Sequence, residues 1–475
     1  MKQSYDVMIV GAGQAGIFAA YELVTRRPDL KVALLEQGHK IRRRSCPIVD
    51  GKTDHCINCP SCDIMRGFGG AGAFSDGKFN FTTQFGGWLT DYQPAKTVME
   101  LIEYVDQINL TFGATEEVFS TATEAADVIR RKAMGFDLHL LDARCKHLGT
   151  ERNKDILAAQ ADFLDSRLDL RCGVSVDRIQ PLDDGRYRLQ TSGGELESDY
   201  LIVAPGRSGA EWFSQQCHQL GLKLINNQVD IGVRVELPAT VFREITDAVY
   251  EAKLLYRTKI YQDVVRTFCM NPYGQVVTEN TDGIITVNGH SYTDPALHSE
   301  NTNFALLVSN RFTSPFREPY QYGKRIASLS NMLGGGVIVQ RFGDLEAGRR
   351  TNAHRLQQSF VRPTLQATPG DLSLVLPKRH LDNIIDMIHA LDQLAPGTAN
   401  HDTLLYGVEV KFYSSRLQLS AELETPLHNM FAIGDGAGIT RGLSQAGASG
   451  IIAARGILAR LPDAEPLPEI TEEAP

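Results

Sequence analysis

Val10-Gly11-Ala12-Gly13-Gln14-Ala15-Gly16 lies at the end of the chain's first apolar run, and its glycine spacing decides the fold. The run before it, Tyr5-Asp6-Val7-Met8-Ile9-Val10, is short, apolar and β-branched, which predicts a buried strand. Gly11 permits the tight turn out of that strand. Gly13 lets the backbone approach a pyrophosphate, and Gly16 lets the next helix pack close to the strand. That helix is expected over 15–26, starting at Ala15, with its first N–H groups directed at phosphate. A second strand, Lys31 to Leu35, ends on Glu36, 20 residues beyond Gly16. A carboxylate there accepts hydrogen bonds from the hydroxyls of an adenosine ribose.

A second glycine-rich motif lies near the other end: Asn429-Met430-Phe431-Ala432-Ile433-Gly434-Asp435-Gly436-Ala437-Gly438. Phe431-Ala432-Ile433 predicts a short buried strand. A helix of small residues is expected from Ser444 to Leu458, where Gly447, Ala448, Gly450, Ala453 and Ala454 allow close packing. The motif resembles the C-terminal motif of two-domain flavoproteins. The resemblance implies that Asp435 bonds a ribityl chain, with Gly434 beside it, and that the helix start, with Ser444 and Gly447, faces a flavin. A positive helix end stabilises anionic reduced flavin by about 0.3–1 kcal/mol when exposed, and by more when buried. The first motif implies a dinucleotide; the pair implies FAD, bound by a chain that folds back to complete the site it started.

Composition narrows the class. Of 475 residues, 43% are hydrophobic and 22% charged, as in a globular enzyme with a sizeable core. The net charge of −9 argues against a nucleic-acid partner. No apolar run reaches the roughly 20 residues of a membrane span. The chain enters a strand with no basic-then-apolar leader, so the expected compartment is the cytosol, with the eight cysteines mostly reduced. Residues 462–475 are rich in Pro and Glu and are expected to be disordered.

Three segments, 1–90, 150–228 and 405–461, are assigned to a discontinuous nucleotide-binding domain. Residues 91–149 are expected as a small helical insertion, in which Val98, Leu101, Ile102, Val105 and Ile108 fall at helical spacing behind Pro94. Further helices are expected over 123–134 and 154–166. Short strands are expected from Leu168 to Val176, from Tyr187 to Thr191 and from Leu196 to Ser198, with Asp183-Asp184-Gly185 and Ser192-Gly193-Gly194 as turns. The strand Asp199 to Gly206 resembles a second FAD motif, in which a hydrophobic strand ends on a glycine beside the dinucleotide. Val176 and Gly206 accordingly count among the cofactor positions. Residues 229–404 mix strand and helix signals without a second glycine fingerprint and are expected to form a substrate domain. Gly334-Gly335-Gly336 lacks dinucleotide spacing and is expected as a turn or hinge.

Gly67-Phe68-Gly69-Gly70-Ala71-Gly72-Ala73-Phe74-Ser75-Asp76-Gly77-Lys78 implies close backbone approach to a ligand. Its place after the second strand sets it against the flavin ring, with Ser75, Asp76 and Lys78 as contacts to the cofactor or as caps of the next element. Just upstream, Cys46, Cys56, Cys59 and Cys62 put four of the eight cysteines within 17 positions. Tetrahedral zinc and a [4Fe–4S] cluster each take four such ligands, and the tight spacing leans towards the cluster. His55, next to Cys56, is either a substitute ligand or an exposed loop histidine, the latter being the reading favoured. A dithiol relay and unmetallated thiols bracing a loop are the alternatives. The run Arg42-Arg43-Arg44 is either a steering patch for anions or a solvated face.

The chain resembles a bacterial family of FAD-dependent dehydrogenases, NAD(P)/FAD-dependent oxidoreductases in which a Rossmann FAD domain carries an inserted substrate domain. The resemblance rests on Gly69 to Lys78, on Cys269-Met270-Asn271-Pro272-Tyr273-Gly274 and on Asn288-Gly289-His290-Ser291. Larger relatives carry Cys-Met-Cys-Pro-Gly-Gly and Asn-Gly-Met-Ser at the last two segments, so Asn271, Tyr273 and His290 depart from the pattern. The implied fold is α/β: a glutathione-reductase-like FAD domain with an inserted mixed α+β substrate domain. The implied activity is hydride transfer at flavin N5 that reduces or desaturates a C–C or C–N bond of a small organic substrate. Electrons would come from transient NAD(P)H or an electron-donor protein. A flavin monooxygenase and a non-catalytic redox sensor are the alternatives. Candidate acid–base groups are His290 and Tyr292; Cys269 is a candidate thiolate, and Arg441 a candidate for binding a substrate carboxylate.

Overall fold

Strand Gln3–Val10 lies between strands Val32–Glu36 and Gly194–Val203, parallel to both. The computed structural model describes residues 3–462 except 54–56, 58, 60, 76, 143, 226, 282, 293, 311, 313–315, 317–318, 412–413 and 415. Asp76, His55, Cys56 and nearly all of the expected tail lie outside the described residues. The described chain divides into two compact units. The first comprises Met1–Glu117, Lys146–Ile225 and Ser414–Pro475; the second comprises Val118–Cys145 and Asn226–Tyr413.

These units cut the expected boundaries differently. The stretch expected as a separate helical insertion over 91–149 is divided. Helix Ala95–Thr111 packs Val98, Leu101, Ile102, Val105 and Ile108 into the core of the first unit, while helix Glu124–Met134 adds Ala126, Ile129 and Ala133 to the core of the second. Strand Leu404–Lys411 pairs antiparallel with Val229–Pro238, so the C-terminal segment joins the first unit only from Ser414, not from 405.

The first unit has the Rossmann-type architecture expected. Strand Asp169–Cys172 extends the parallel sheet beyond Val32–Glu36. The edge of strand Gly194–Val203 away from Gln3–Val10 is shared by two partners. Residues 194–198 pair antiparallel with Tyr187–Thr191, and residues 201–203 pair parallel with Met430–Ala432. The central strands are buried on both faces, which accounts for their continuous apolar runs. Helix Gln14–Arg26 packs against helix Leu443–Leu458. A Cβ at Gly450 would lie 2.1 Å from the Ala15 carbonyl oxygen, and one at Gly447 2.9 Å from Val105 Cγ2. Small residues here are therefore a condition of helix contact.

The second unit is an eight-stranded sheet ordered Thr368–Pro369, Ile338–Arg341, Leu404–Lys411, Val229–Pro238, Asn301–Asn310, Val264–Asn271, Leu254–Arg257 and Leu138–Leu140. Strands Gln275–Thr281 and Ile284–His290 form a separate hairpin. One sheet face is apolar: Ile231, Val233 and Val235 join Phe304, Leu306 and Val308 in a core shared with Ile384, Met387 and Ile388 of helix Lys378–Leu394. The alternate residues, Gly232, Arg234, Ala305 and Leu307, stay outside that core, as the strand period of two requires. His380, at the start of the same helix, is buried, and its Nε2 lies 2.9 Å from Asn310 Nδ2.

Two outcomes test this packing. Gly450→Ala should destabilise the protein by about 1–3 kcal/mol in urea unfolding, because the new methyl meets backbone that cannot yield. Burial pulls the pKa of His380 down to about 4. The neutral ring is therefore favoured in the folded state, and its contribution to stability is fully present above the ordinary histidine value. That contribution should fall away as pH drops towards 4, and the melting-temperature difference between the wild type and His380→Gln should narrow over the same interval.

Candidate functional site

Glu36 ends its strand buried, and its carboxylate gathers three segments of backbone. Oε2 accepts from Ala12 N at 3.0 Å; Oε1 accepts from Gly38 N and Gly67 N, both at 2.9 Å. Part of the capacity expected for ribose hydroxyls is thus committed to the protein. Oε2, with a single bond, keeps an acceptor direction for a ribose. The glycine loop lies directly on the first turn: Gly69 N donates to Ala12 O at 2.7 Å, and a Cβ on Gly70 would lie 3.1 Å from the Gly13 Cα. Gly69 and Gly70 have φ of 91° and 60°, a region that favours glycine.

Arg44 was legible only as part of a basic run. The structure buries it and makes it the brace of the glycine loop. Nη1 donates to the carbonyls of Phe68 and Gly70 at 2.7 and 2.8 Å; Nε and Nη2 donate to Asp63 O at 2.9 and 2.6 Å. Burial pulls its pKa down to about 10, with Glu36 and Asp63 acting in the opposite direction. Arg42, by contrast, is an exposed partner of Asp162.

This brace also bears on the cysteines. Cys46 O accepts from Asp50 N, and Cys62 O from Met65 N and Arg66 N, so each opens its own turn. Between those turns stand Arg44 and Asp63, whose Oδ2 accepts from Ser45 N at 3.2 Å. Cys46, Cys59 and Cys62 are part-exposed. Among the described residues no three His, Cys, Asp or Glu groups converge to hold a metal. The expectation of zinc or an iron–sulfur cluster at Cys46, Cys56, Cys59 and Cys62 therefore finds no support, since hydrogen bonds already hold the described part of the loop.

At the C-terminal motif, Gly434 has φ 74°, and a Cβ there would lie 3.0 Å from the Ala15 methyl. The Asp435 carboxylate accepts from Thr440 Oγ1 at 2.7 Å. Burial raises its pKa, against the opposing influence of Arg207, Thr440 and Arg441. Gly206 closes on this motif, since a Cβ on Gly436 would lie 2.5 Å from the Gly206 carbonyl oxygen. The guanidinium of Arg441 stacks over Trp88 at 3.9 Å. Ser75 closes its own turn, donating to Gly72 O and accepting from Gly77 N, which is the capping alternative. Lys78 starts strand Lys78–Phe81, Ala71 lies in the helical turn Gly70–Phe74, and Val176 opens strand Val176–Pro181.

Helices Gln14–Arg26 and Leu443–Leu458 start at glycines without a side-chain cap. A Cβ on Gly72 would meet Leu443 Cδ2 at 2.8 Å and Gln14 Cγ at 3.9 Å, so that glycine lies at both helix starts. Buried there, Gln14 Oε1 and Ser444 Oγ have no hydrogen-bond partner among the described residues. Buried polar atoms of this kind cost roughly 1–3 kcal/mol each unless a ligand satisfies them. Uncapped helix ends, glycine cradles and orphaned oxygens fit a dinucleotide bearing phosphates and hydroxyls. Sequence reasoning missed Gln14, although it lies inside the fingerprint.

In the second unit the two family-like segments converge on Arg234, which is fully buried. Nε and Nη2 form a two-point pair with Glu409 at 2.8 and 3.0 Å, and Nη1 donates to Cys269 O at 3.0 Å and Asn303 Oδ1 at 2.9 Å. Nη2 also reaches Asn288 Oδ1 at 3.3 Å. Gly289 is required beside them, because a Cβ there would lie 2.2 Å from Arg234 Nη1. Burial pushes the Glu409 carboxyl up, but Arg234 and Lys411 outweigh it and hold its pKa below the usual range. Cys269 sits at a bulge with φ 46°, and its carbonyl accepts from the arginine. The His290 and Tyr292 rings meet edge to face at 4.6 Å.

Residues 228–412 match the family model described as FAD-dependent protein, C-terminal domain-like, and residues 2–41 match the Thi4 family. A protein of Clostridium beijerinckii, described as uncharacterised, is 26% identical over 95% of this chain and 80% of its own length. A thiamine thiazole synthase of Schizosaccharomyces pombe is 64% identical over 31 residues, 6% of this chain and 10% of its own. Among solved structures, glycine oxidase from Geobacillus kaustophilus covers 98% of this chain and 97% of its own at 13% identity and a TM-score of 0.40. L-Proline dehydrogenase from P. horikoshii covers 98% and 96% at 10% identity and a TM-score of 0.39. The resemblance to FAD-dependent proteins read from the sequence thus reappears in the family model over the second unit. No helix among the described residues is long and apolar enough to cross a membrane.

The raised Asp435 pKa gives a signed test. Its protonated form is favoured in the fold, so its stabilising contribution is greatest below the ordinary carboxylate range and is lost as pH rises through the raised value. Asp435→Asn should therefore increase thermal stability of the flavin-free protein at neutral pH, with the gain shrinking in melting curves recorded at acid pH.

Proposed function

We propose that the chain is an FAD-dependent oxidoreductase that reduces or desaturates a C–C or C–N bond of a small organic substrate. The observation that carries this reading is the meeting of two uncapped helix starts at Gly72, with Gln14 Oε1 and Ser444 Oγ orphaned beside them. The FAD-dependent family model matched by residues 228–412 supports it from the other unit.

When bound, FAD supplies a hydride donor and acceptor. The chain's own residues bind and orient it. Gly11, Gly13 and the start of helix Gln14–Arg26 would take the pyrophosphate, Glu36 the adenosine ribose, and Asp435 the ribityl hydroxyls. The start of helix Leu443–Leu458, through Ser444, would offer positive potential to the ring system. Glu36 and Arg44 hold the glycine loop against the first turn. In the second unit, His290 is the proposed proton-transfer group, and Tyr292 packs edge-on against its ring. Arg234 fixes the segments carrying Cys269 and Asn288 by direct hydrogen bonds. The proposed electron source is NAD(P)H or an electron-donor protein.

The purified protein should carry FAD, identified by its visible spectrum and by chromatography after heat release. Asp435→Ala and Ser444→Ala should each weaken FAD retention by about tenfold or more in equilibrium dialysis, the loss of one or two hydrogen bonds. Full occupancy in both variants would count against the site. His290→Gln should lower turnover while leaving the flavin content unchanged, with single-turnover reduction by NADPH as the measurement.

A further inference from the structure

At the paired helix starts of the first unit, the FAD reading uses two buried oxygens without a hydrogen-bond partner, Gln14 Oε1 and Ser444 Oγ. A third stands beside them. Gln445 is only 3% exposed, and its Oε1 has no partner among the described residues. Gln445 is the third residue of helix Leu443–Leu458, a position from which a glutamine commonly turns back to the N–H that precedes the helix. Here that group, Gly442 N, donates to Gly86 O at 3.1 Å instead. The Gln445 amide is turned aside to the stretch 82–87. Its Nε2 donates to Phe85 O at 3.0 Å and to Thr82 O at 3.4 Å.

Two carbonyls on one side fix which end of the amide is nitrogen, so Oε1 acts as an acceptor only. Its place is fixed as well. A Cβ on Gly87 would lie 2.3 Å from Oε1 and 2.9 Å from Ile439 O, so the oxygen sits beside the segment that leads into the helix. A buried acceptor without a donor is destabilising, and the group that fills this position must bring a donor. The first N–H groups of the helix have no intrahelical acceptor and require the opposite. The helix start thus sets donors beside an acceptor. The pyrimidine edge of an oxidised flavin carries the complementary pattern: O2 and O4 accept, and N3–H between them is the only donor of the ring.

Resting on the FAD reading of this site, we infer that Gln445 Oε1 accepts the hydrogen bond of flavin N3–H. Gln445 then recognises the ring itself, whereas Glu36, Asp435 and the glycine turns hold the ribose, ribityl chain and phosphates. The same amide ties down the stretch 82–87, so one side chain serves both ring and loop.

Fluorescence titration of the flavin-free full chain with FAD and with FAD methylated at N3 tests this. The methyl group removes the donor and leaves the ribityl chain, phosphates and adenosine unchanged. Wild type should bind FAD at least about tenfold more tightly than the methylated cofactor, the loss of one buried hydrogen bond. Gln445→Met should bind the two within about twofold of each other. A purely structural role would lower both affinities and leave their ratio unchanged. Ser444→Ala and Gln14→Met remove the other two unpartnered oxygens and should keep the preference for FAD. Equal binding of the two cofactors by wild type, or a preference that survives in Gln445→Met, overturns the inference. Loss of the preference in Ser444→Ala or Gln14→Met overturns it too. If Gln445→Met does not fold, those two variants decide: a preference kept in both supports Gln445, and its loss in either removes it. Failure to bind either cofactor sinks the FAD reading itself, while equal binding of both leaves that reading standing and removes only the role of Gln445.

Discussion

The first unit depends on one carboxylate. Glu36 draws the amides of Ala12, Gly38 and Gly67 to a single point, so the turn after the first strand, the turn after the second and the start of the glycine loop share an anchor. Charge-assisted bonds of this kind are roughly twice as strong as neutral ones. Arg44 completes the arrangement from the other side by holding the loop's carbonyls. An acid collecting amides and a base collecting carbonyls form one polar frame around Gly67 to Gly70. Glycine is tolerated there because the frame fixes what the chain itself leaves free.

The second unit solves a different problem with similar chemistry. Its central strand alternates core residues with a buried arginine and a buried glutamate. Arg234 is compensated by Glu409, while Glu236 accepts from Asn301, Thr364 and Tyr406. Breaking such a pair by removing one partner typically costs about 3–5 kcal/mol, whereas an apolar replacement of both is often neutral. The arrangement therefore adds little to stability beyond what packing supplies. What it does add is placement, because the same guanidinium fixes the bulge at Cys269 and the hairpin strand at Asn288.

Much of the first unit was legible because its signals are local. Apolar runs bounded by glycine gave strands Gln3–Val10 and Val32–Glu36 within a residue or two, and Thr123 was legible as the start of helix Glu124–Met134, which its side chain caps. The expected strand from Leu168 to Val176 is instead two strands, because Gly173 turns with φ 79°. Two expected strands after it are one, Gly194–Val203, because exposed Asp199 interrupts the apolar pattern without interrupting the pairing. Arg44 and Arg234 had no local signal: a basic run and an isolated arginine in a strand resemble surface residues until distant carbonyls and carboxylates surround them. The cysteine spacing gives the reverse case: among the described residues, closeness in sequence brings no three metal-ligating groups together.

The shared edge of strand Gly194–Val203 has a consequence for how the protein is made. Residues 201–203 of strand Gly194–Val203 wait for Met430–Ala432, and Ala15 waits for Gly450. At roughly 5–20 residues per second, a ribosome takes about 20–90 s between the first glycine turn and the helix that covers it. During that interval the nascent sheet has an open edge and the cofactor turn lacks its cover. Synthesis therefore imposes an order in which the cofactor turn is covered only after the second unit has been made, so the closing helix reports that translation has passed residue 458.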